Sequence, residues 1–474
     1  MARYHSTISR RQFLKALGLG GVGLGASALG ATIPGLSSPI HDVDEAIASP
    51  LSAMKRPSWI KEVDKPTIEI DWSIMKRFNY YEVMWAGGFA KAWGNSQAAL
   101  ITSAGAGNTA LWRKQNKPGY TLADTALNGC TNQAPISFLG PRSSATPATL
   151  GVPRWEGTPE ENARLVRAFL RIHGACHVGF VELETNTTEK LINAYDGAKT
   201  LGVQGPRLDI LDVDEPVDKP EDPATGGGGY RIIPKKARWV IVYSLRMSPE
   251  LIHRAPGMIS SREHGYMYDL RTLVQGQLQN FLRTLGYMGL GDTLPFAAFC
   301  QSTGFAVLAG LGETCRVMHT ITPEYGLMER IFVVVTDLPL APGKPVDFGV
   351  TKFCRVCKKC ADYCPAHAIP LDTEPSWEVK GPYNRAGVRH WYRAEPLCRA
   401  YIFTAGACAV CFGVCPYSKV HNAAYTNAWQ AMAATTPIFD RAIRKMDDFM
   451  GYGLRSGDEV EKFWDLELPP FGWT

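Results

Sequence analysis

The chain has 474 residues, 45% hydrophobic and 20% charged, a composition that folds into two or three packed units and excludes wholesale disorder. Its net charge of +5 is spread over 50 basic and 45 acidic side chains with no long Lys/Arg block, which argues against a nucleic-acid partner. Eight of the twelve cysteines fall between Cys354 and Cys415, and only Cys130, Cys176, Cys300 and Cys315 lie elsewhere. Such clustering is that of metal ligands. A disulfide framework is the competing reading for an exported chain, but it typifies small domains without a core.

At the N-terminus, Ser9-Arg10-Arg11-Gln12-Phe13-Leu14-Lys15 precedes a mildly hydrophobic Gly/Ala/Leu run from Ala16 to about Ile33, then Pro34. This pattern reads as a twin-arginine export signal over residues 1–35, with a plain membrane anchor as the alternative. Gly18-Leu19-Gly20-Gly21-Val22-Gly23 has the glycine spacing of a dinucleotide site but lacks the preceding strand, so we reject that reading. The twin-arginine route carries folded proteins, which suits cofactors inserted in a reducing cytoplasm.

From Ile40 to Arg154 little periodicity is sustained, and no chemistry can be assigned. Thr158-Pro159-Glu160-Glu161 then combines a capping hydroxyl, a first-turn proline and a reciprocal Glu, predicting a helix up to Gly174. Strands are expected at Val178–Leu183, Trp239–Leu245 and Ile331–Thr336, with Gly226–Gly229 a loop before the second. Between the second and third, apolar residues from Leu270 to Leu285 advance by threes and fours, and Gly286 marks the stop. Alternating strands and helices predict an α/β (α+β) layered domain over 155–345.

Cys354, Cys357, Cys360 and Cys364-Pro365 have the C-x2-C-x2-C-x3-C-P spacing of bacterial ferredoxins, and Cys398, Cys408, Cys411 and Cys415-Pro416 follow. In such pairs the fourth cysteine of each motif reaches the other cluster. The expected ligand sets are therefore Cys354, Cys357, Cys360 and Cys415 for one 4Fe–4S cluster, and Cys364, Cys398, Cys408 and Cys411 for the other. Nine residues separate Cys398 from Cys408 where two are usual, so a three-iron cluster lacking Cys398 stays open, as does structural zinc.

Signal, α/β middle and twin cluster motif in this order resemble the reductive dehalogenases. So do Leu278-Gln279-Asn280-Phe281-Leu282-Arg283-Thr284-Leu285-Gly286-Tyr287, Ala309-Gly310-Leu311-Gly312-Glu313 with Arg316, and Thr336-Asp337-Leu338-Pro339-Leu340. The resemblance implies a nitroreductase-like domain at 155–345 that holds a base-off corrinoid, followed by a ferredoxin-like domain at 346–425. Residues 36–154 would contribute to the pocket and 426–474 form a C-terminal extension. It also implies an organohalide substrate, Co(I) chemistry fed by the clusters, and a tyrosine acid whose phenolate a basic residue stabilises. Tyr268, placed where the 270–285 helix begins, and Arg316 are the expected pair, with Tyr266 the alternative donor. Cys300 and Gln301 stand where some family members carry a pocket asparagine. The mature enzyme is expected on the outer face of the cell membrane, held by a small integral anchor protein and reduced by a membrane electron donor. Two rivals are an epoxyqueuosine reductase-like enzyme, which shares some of these segments, and an exported iron–sulfur electron carrier.

Overall fold

The computed structural model describes residues 56–472, apart from Ala86, segments 131–136, 195–198, 201–202, 205–206, 225–227, 294–298 and 420–423, and positions 450 and 452. The predicted export signal and the rejected glycine motif lie outside the described residues. No helix among the described residues is long and apolar enough to cross a membrane.

In chain order the principal elements begin with helices α1 (Asn95–Lys114), α2 (Leu122–Gly129) and α3 (Pro159–Ile172), then strand β1 (Ala175–Glu182). A small sheet follows, built from β2 (Arg207–Leu211), β3 (Val217–Lys219) and β4 (Tyr230–Pro234). Next come β5 (Trp239–Arg246), the long helix α4 (Met258–Leu285), β6 (Gly289–Gly291), α5 (Ser302–Leu308) and β7 (Glu329–Thr336). The C-terminal third adds α6 (Val350–Cys357), α7 (Glu395–Ala405), α8 (Ala424–Thr435) and α9 (Asp440–Phe449).

The central sheet has the order β1-β5-β7-β6 with every neighbour antiparallel, in a register that sets Phe332 against Tyr243 and Gly179 against Val242. Its strands read as unbroken apolar runs because both faces are covered. Ile241, Tyr243, Phe332 and Val334 pack with Val166 and Leu170 of α3 and Val274 and Leu278 of α4. Val240, Val242, Val333 and Val335 face Met75, Tyr80, Phe138 and Phe305. The Thr158 cap is present with its reciprocal Glu161 bond, and Gly286 takes the left-handed conformation that ends α4.

A buried polar clasp ties three strands to the N-terminal segment. His177 Nδ1 bonds Glu329 Oε1 at 2.7 Å and its Nε2 bonds Glu324 Oε2 at 2.8 Å, while Ser244 also donates to Glu329 and Arg56 pairs with Glu324. Two carboxylates outweigh the desolvation that would otherwise discharge the imidazole, and the His177 pKa is raised to about 9.

Two sequence expectations change. The helix ending at Leu285 starts at Met258, so Tyr268 lies in its middle rather than at its first turn. No helix dipole can therefore favour its phenolate. The extra turns were hidden because buried Ser260 and Glu263 interrupt the apolar Met258, Ile259 and Met267. His264, Tyr268, Arg271 and Gln275 recur at four-, three- and four-residue steps, one stripe of α4, where an apolar-periodicity search finds nothing. The second change is in the stretch taken as featureless, which holds the 20-residue α1. This helix buries little besides Ala98 and Gly105, and it approaches α7 through Gly105, where an added Cβ would lie 1.9 Å from the Phe403 carbonyl oxygen. Contact through a glycine leaves no apolar stripe to read.

Candidate functional site

All twelve cysteines carry free thiols. The first expected ligand set surrounds an enclosed space lined by Cys354, Cys357, Cys360 and Cys415 together with Cys315, Arg316 and Tyr417. Burial, then mutual repulsion within the group, pushes these thiols up, Cys354, Cys357 and Cys415 to about 12. In the second set, Cys398 is raised by burial and by Cys364, and Cys408 to about 12 by burial and by Cys398 and Cys364. Cys411 also touches the rim of the first space, but Cys408, Cys398 and Cys364 dominate its thiol neighbours, which puts it in the second set. Cys398 reaches its group because α7 spans the long gap in the motif and Gly406, in the left-handed conformation, turns the chain back toward Cys408.

Thiols raised this far stay protonated unless a metal displaces the proton. Among the described residues no three His, Cys, Asp or Glu side chains converge as one bound ion requires. A cubane makes no such demand, since each thiolate meets a different iron. The donor sets thus fit two iron–sulfur clusters. Cys315, set aside on sequence grounds, is a fifth thiol of the first group: burial, then Cys354 and Cys415, holds its pKa well above the ordinary value.

Tyr268 is buried, and its hydroxyl accepts a hydrogen bond at 2.9 Å from Nη2 of Arg330, the second residue of β7. The Arg330 and Arg271 guanidiniums lie 5.1 and 5.4 Å from the centre of its ring, and the Phe332 ring meets it edge-on at 6.2 Å. Arg271 is held in turn by Asp292 at 3.7 Å. The phenol therefore sits beside two guanidiniums, one at its hydroxyl and one at its ring.

The expected partner of Tyr268 is corrected by this geometry. Arg316 is 1% exposed, and its guanidinium donates to the carbonyls of Cys354, Pro370 and Asp372 while lying 4.6 Å from the Trp391 ring. It belongs to the first thiol group. Tyr266 is two residues from Tyr268, about 200° around the helix, and its ring stacks on Phe471 of the C-terminal segment. Cys300 is fully enclosed, with a pKa far above normal through burial, and Gln301 caps α5. Arg330 escaped the sequence reading although a signal was present, since Glu329-Arg330 is a charged pair opening an otherwise apolar strand.

Arg330, the partner of Tyr268, also neighbours two histidines. His264 and His319 keep accessible surface, yet burial is the main cause that lowers the first to about 3 and the second well below its ordinary value, with Arg330 adding to both. Both rings pack against Phe412, the residue after Cys411, at 6.3 and 5.0 Å. Arg393, ion-paired with Glu395, neighbours Cys398 and Cys411. On another side, Arg399 packs on Trp85 and Phe403, and its pKa is lowered to about 8, chiefly by burial and opposed by Cys398, Glu395 and Tyr80. Tyr80 in turn neighbours Tyr268. A chain of neighbours, Cys398, Arg399 and Tyr80, thus runs from the second thiol group to the tyrosine. Among the described residues, Arg399 Nε and Nη1, Tyr243 Oη and Thr320 Oγ1 are buried without a hydrogen-bond partner. Orphaned polar atoms of this kind fit a large ligand rich in amide and acidic groups.

Comparison with known proteins places the geometry in context. The family model described as a reductive dehalogenase subunit matches residues 55–138 and 127–340, more than half of the chain. The trichloroethene reductive dehalogenase of Dehalococcoides mccartyi is 27% identical over 98% of each chain. The tetrachloroethene reductive dehalogenase of Sulfurospirillum multivorans is 31% identical over 66% of this chain and 61% of its own. A solved reductive dehalogenase, described as suggesting a mechanism for B12-dependent dehalogenation, shares the fold with a TM-score of 0.55 at 21% identity. That match covers 84% of this chain, which spans only about half (51%) of the solved one. By the family model, which covers more than half of the chain, the protein belongs to the reductive dehalogenase family.

Proposed function

We propose that the chain removes halide from an apolar organohalide, using a corrinoid held beside Tyr268 and electrons delivered through two 4Fe–4S clusters. The observation that carries this reading is the Arg330–Tyr268 hydrogen bond, linked to the second thiol group through Tyr80 and Arg399. His264, His319, Thr320, Arg393 and Arg399 are the residues that would hold the corrinoid, a low-valent cobalt reagent able to break a carbon–halogen bond when bound. Tyr268 then gives its proton to the carbon that loses halide. Arg330 stabilises the phenolate through the shared hydrogen bond and Arg271 through the ring face. Tyr80 and Phe332, both buried, keep the site poor in water, which strengthens both interactions.

In the same reading, residues 155–345 form a nitroreductase-like corrinoid domain and 346–425 a ferredoxin-like domain. The N-terminal segment directs twin-arginine export to the outer face of the membrane, where a small integral protein anchors the enzyme and a membrane donor reduces it. A bare electron carrier would leave the tyrosine–arginine pair without a role. An epoxyqueuosine reductase would leave the near full-length match to dehalogenases unexplained. The test is anaerobic purification with metal analysis and a halide-release assay driven by reduced dye. About eight irons and one cobalt per chain are expected. Zinc in place of iron, or halide release independent of cobalt, would overturn the proposal.

A further inference from the structure

Arg316 has no place in the proton-transfer step, yet it is among the most completely buried cations in the protein. Its side chain enters the space formed by Cys354, Cys357, Cys360 and Cys415. Two of its nitrogens bond the Cys354 carbonyl oxygen at 3.2 and 2.7 Å, and Nη1 spans to the carbonyls of Pro370 and Asp372 at 2.7 and 2.8 Å. Trp391 covers its face at 4.6 Å and donates its own indole N–H to the Asp372 carbonyl. These four hydrogen bonds of the guanidinium all go to neutral carbonyls. Among the described residues no carboxylate forms an ion pair with it, and the Asp372 side chain is exposed to water, which screens it. Two other cations near this group differ. Lys359 is matched by Asp447 and Asp448, and Arg444 by Asp362 and Asp448.

We propose that Arg316 is a positioning residue of the electron-transfer path: it clamps the Cys354 turn to the 370–372 segment, and its unmatched charge raises the midpoint potential of the cluster held by Cys354, Cys357, Cys360 and Cys415. The inference rests on the two-cluster reading. Reduction adds one negative charge to a cluster, so a fixed positive charge in a space with little water favours the reduced form. Arg316 neighbours the thiols of the first group alone, so its effect falls on one cluster and leaves the other as an internal reference.

The experiment is an anaerobic redox titration followed by electron paramagnetic resonance, with iron analysis, on the wild-type protein, Arg316→Gln and Arg316→Lys. Lys352→Gln, which removes an exposed cation of α6, is the control. Two cluster signals in the wild type are the condition on which the underlying reading stands or falls. Given those, Arg316→Gln should lower one midpoint by more than 59 mV, a tenfold change in a one-electron equilibrium constant. Arg316→Lys should stay within that interval, and Lys352→Gln should move neither signal. An unchanged midpoint in Arg316→Gln, equal shifts of both clusters, or a Lys variant that behaves like Gln would each overturn the electrostatic role. If Arg316→Gln loses iron, Arg316→Met is read by the same criterion. Loss of iron in both neutral variants would also overturn it, leaving Arg316 as a mechanical clamp.

Discussion

Replacing Arg330 by Gln tests the proton-donor geometry most directly. The wild-type guanidinium stands 2.9 Å from the Tyr268 hydroxyl, so the phenolate formed by proton transfer keeps a charge-assisted hydrogen bond. Such a bond contributes about 1.5–3 kcal/mol, and at 1.36 kcal/mol per decade its loss slows turnover by roughly 10- to 150-fold. The interaction is stronger after proton transfer than before it, so kcat should fall while KM changes little. Tyr268→Phe removes the acid itself and should lose about 10²–10⁴-fold. The double variant should be no slower than Tyr268→Phe, because the arginine acts only through the hydroxyl. Single-turnover halide release from fully reduced enzyme is the appropriate assay, since electron delivery is then complete before the substrate arrives. Tyr266→Phe serves as the comparison and should retain near-normal rates, because Tyr266 faces Phe471 on the other side of α4. Wild-type rates in Arg330→Gln, additive losses in the double variant, or collapse of Tyr266→Phe with Tyr268→Phe intact would refute the assignment.

Three other outcomes follow from the geometry. The His177 clasp makes stability depend on pH. The folded pKa of His177, about 9, exceeds its ordinary 6.5, so its contribution is full below 6.5 and is lost as pH rises through 9. Glu324, depressed to about 2 from 4.5, contributes above 4.5 and loses that contribution as pH falls through 2. The Tm deficit of His177→Gln should therefore be largest between about 4.5 and 6.5 and shrink by pH 9; a deficit that grows with pH would contradict the sign. Among the cysteines, Cys415→Ala and Cys398→Ala should each cost one cluster by iron analysis, whereas Cys315→Ala should keep both; iron loss in the last would make Cys315 a ligand. Finally, Gly105→Ala forces a methyl against the Phe403 carbonyl and should destabilise the docking of α1 on α7 by about 1–3 kcal/mol, seen as a lower urea midpoint; an unchanged midpoint would show that the two helices separate without cost.

Local chemistry was legible in the residues alone. The two sets of four cysteines follow from spacing, because a motif of short gaps holds three thiols within one loop whatever surrounds it. The cap at Thr158, the stop at Gly286 and the apolar runs of β5 and β7 follow for the same reason: each depends on neighbours a few positions away. Tyr268 was singled out from the residues alone, but the arginine that bonds its hydroxyl was not. Arg316 lies 48 positions along the chain and Arg330 lies 62, and nothing local ranks one above the other. The antiparallel pairing of β7 with β5 decides it, presenting Arg330 on the face packed by α4 and leaving Glu329 on the opposite face with His177. The turn after Glu313 sends Arg316 toward Cys354 of α6 instead. The polar stripe of α4 and the glycine contact of α1 were illegible for a related reason. Hydrophobic periodicity reports which face of a helix meets an apolar core, and these faces meet Arg330 and Asp292 on one side and a backbone carbonyl on the other, partners that exist only once distant segments have come together.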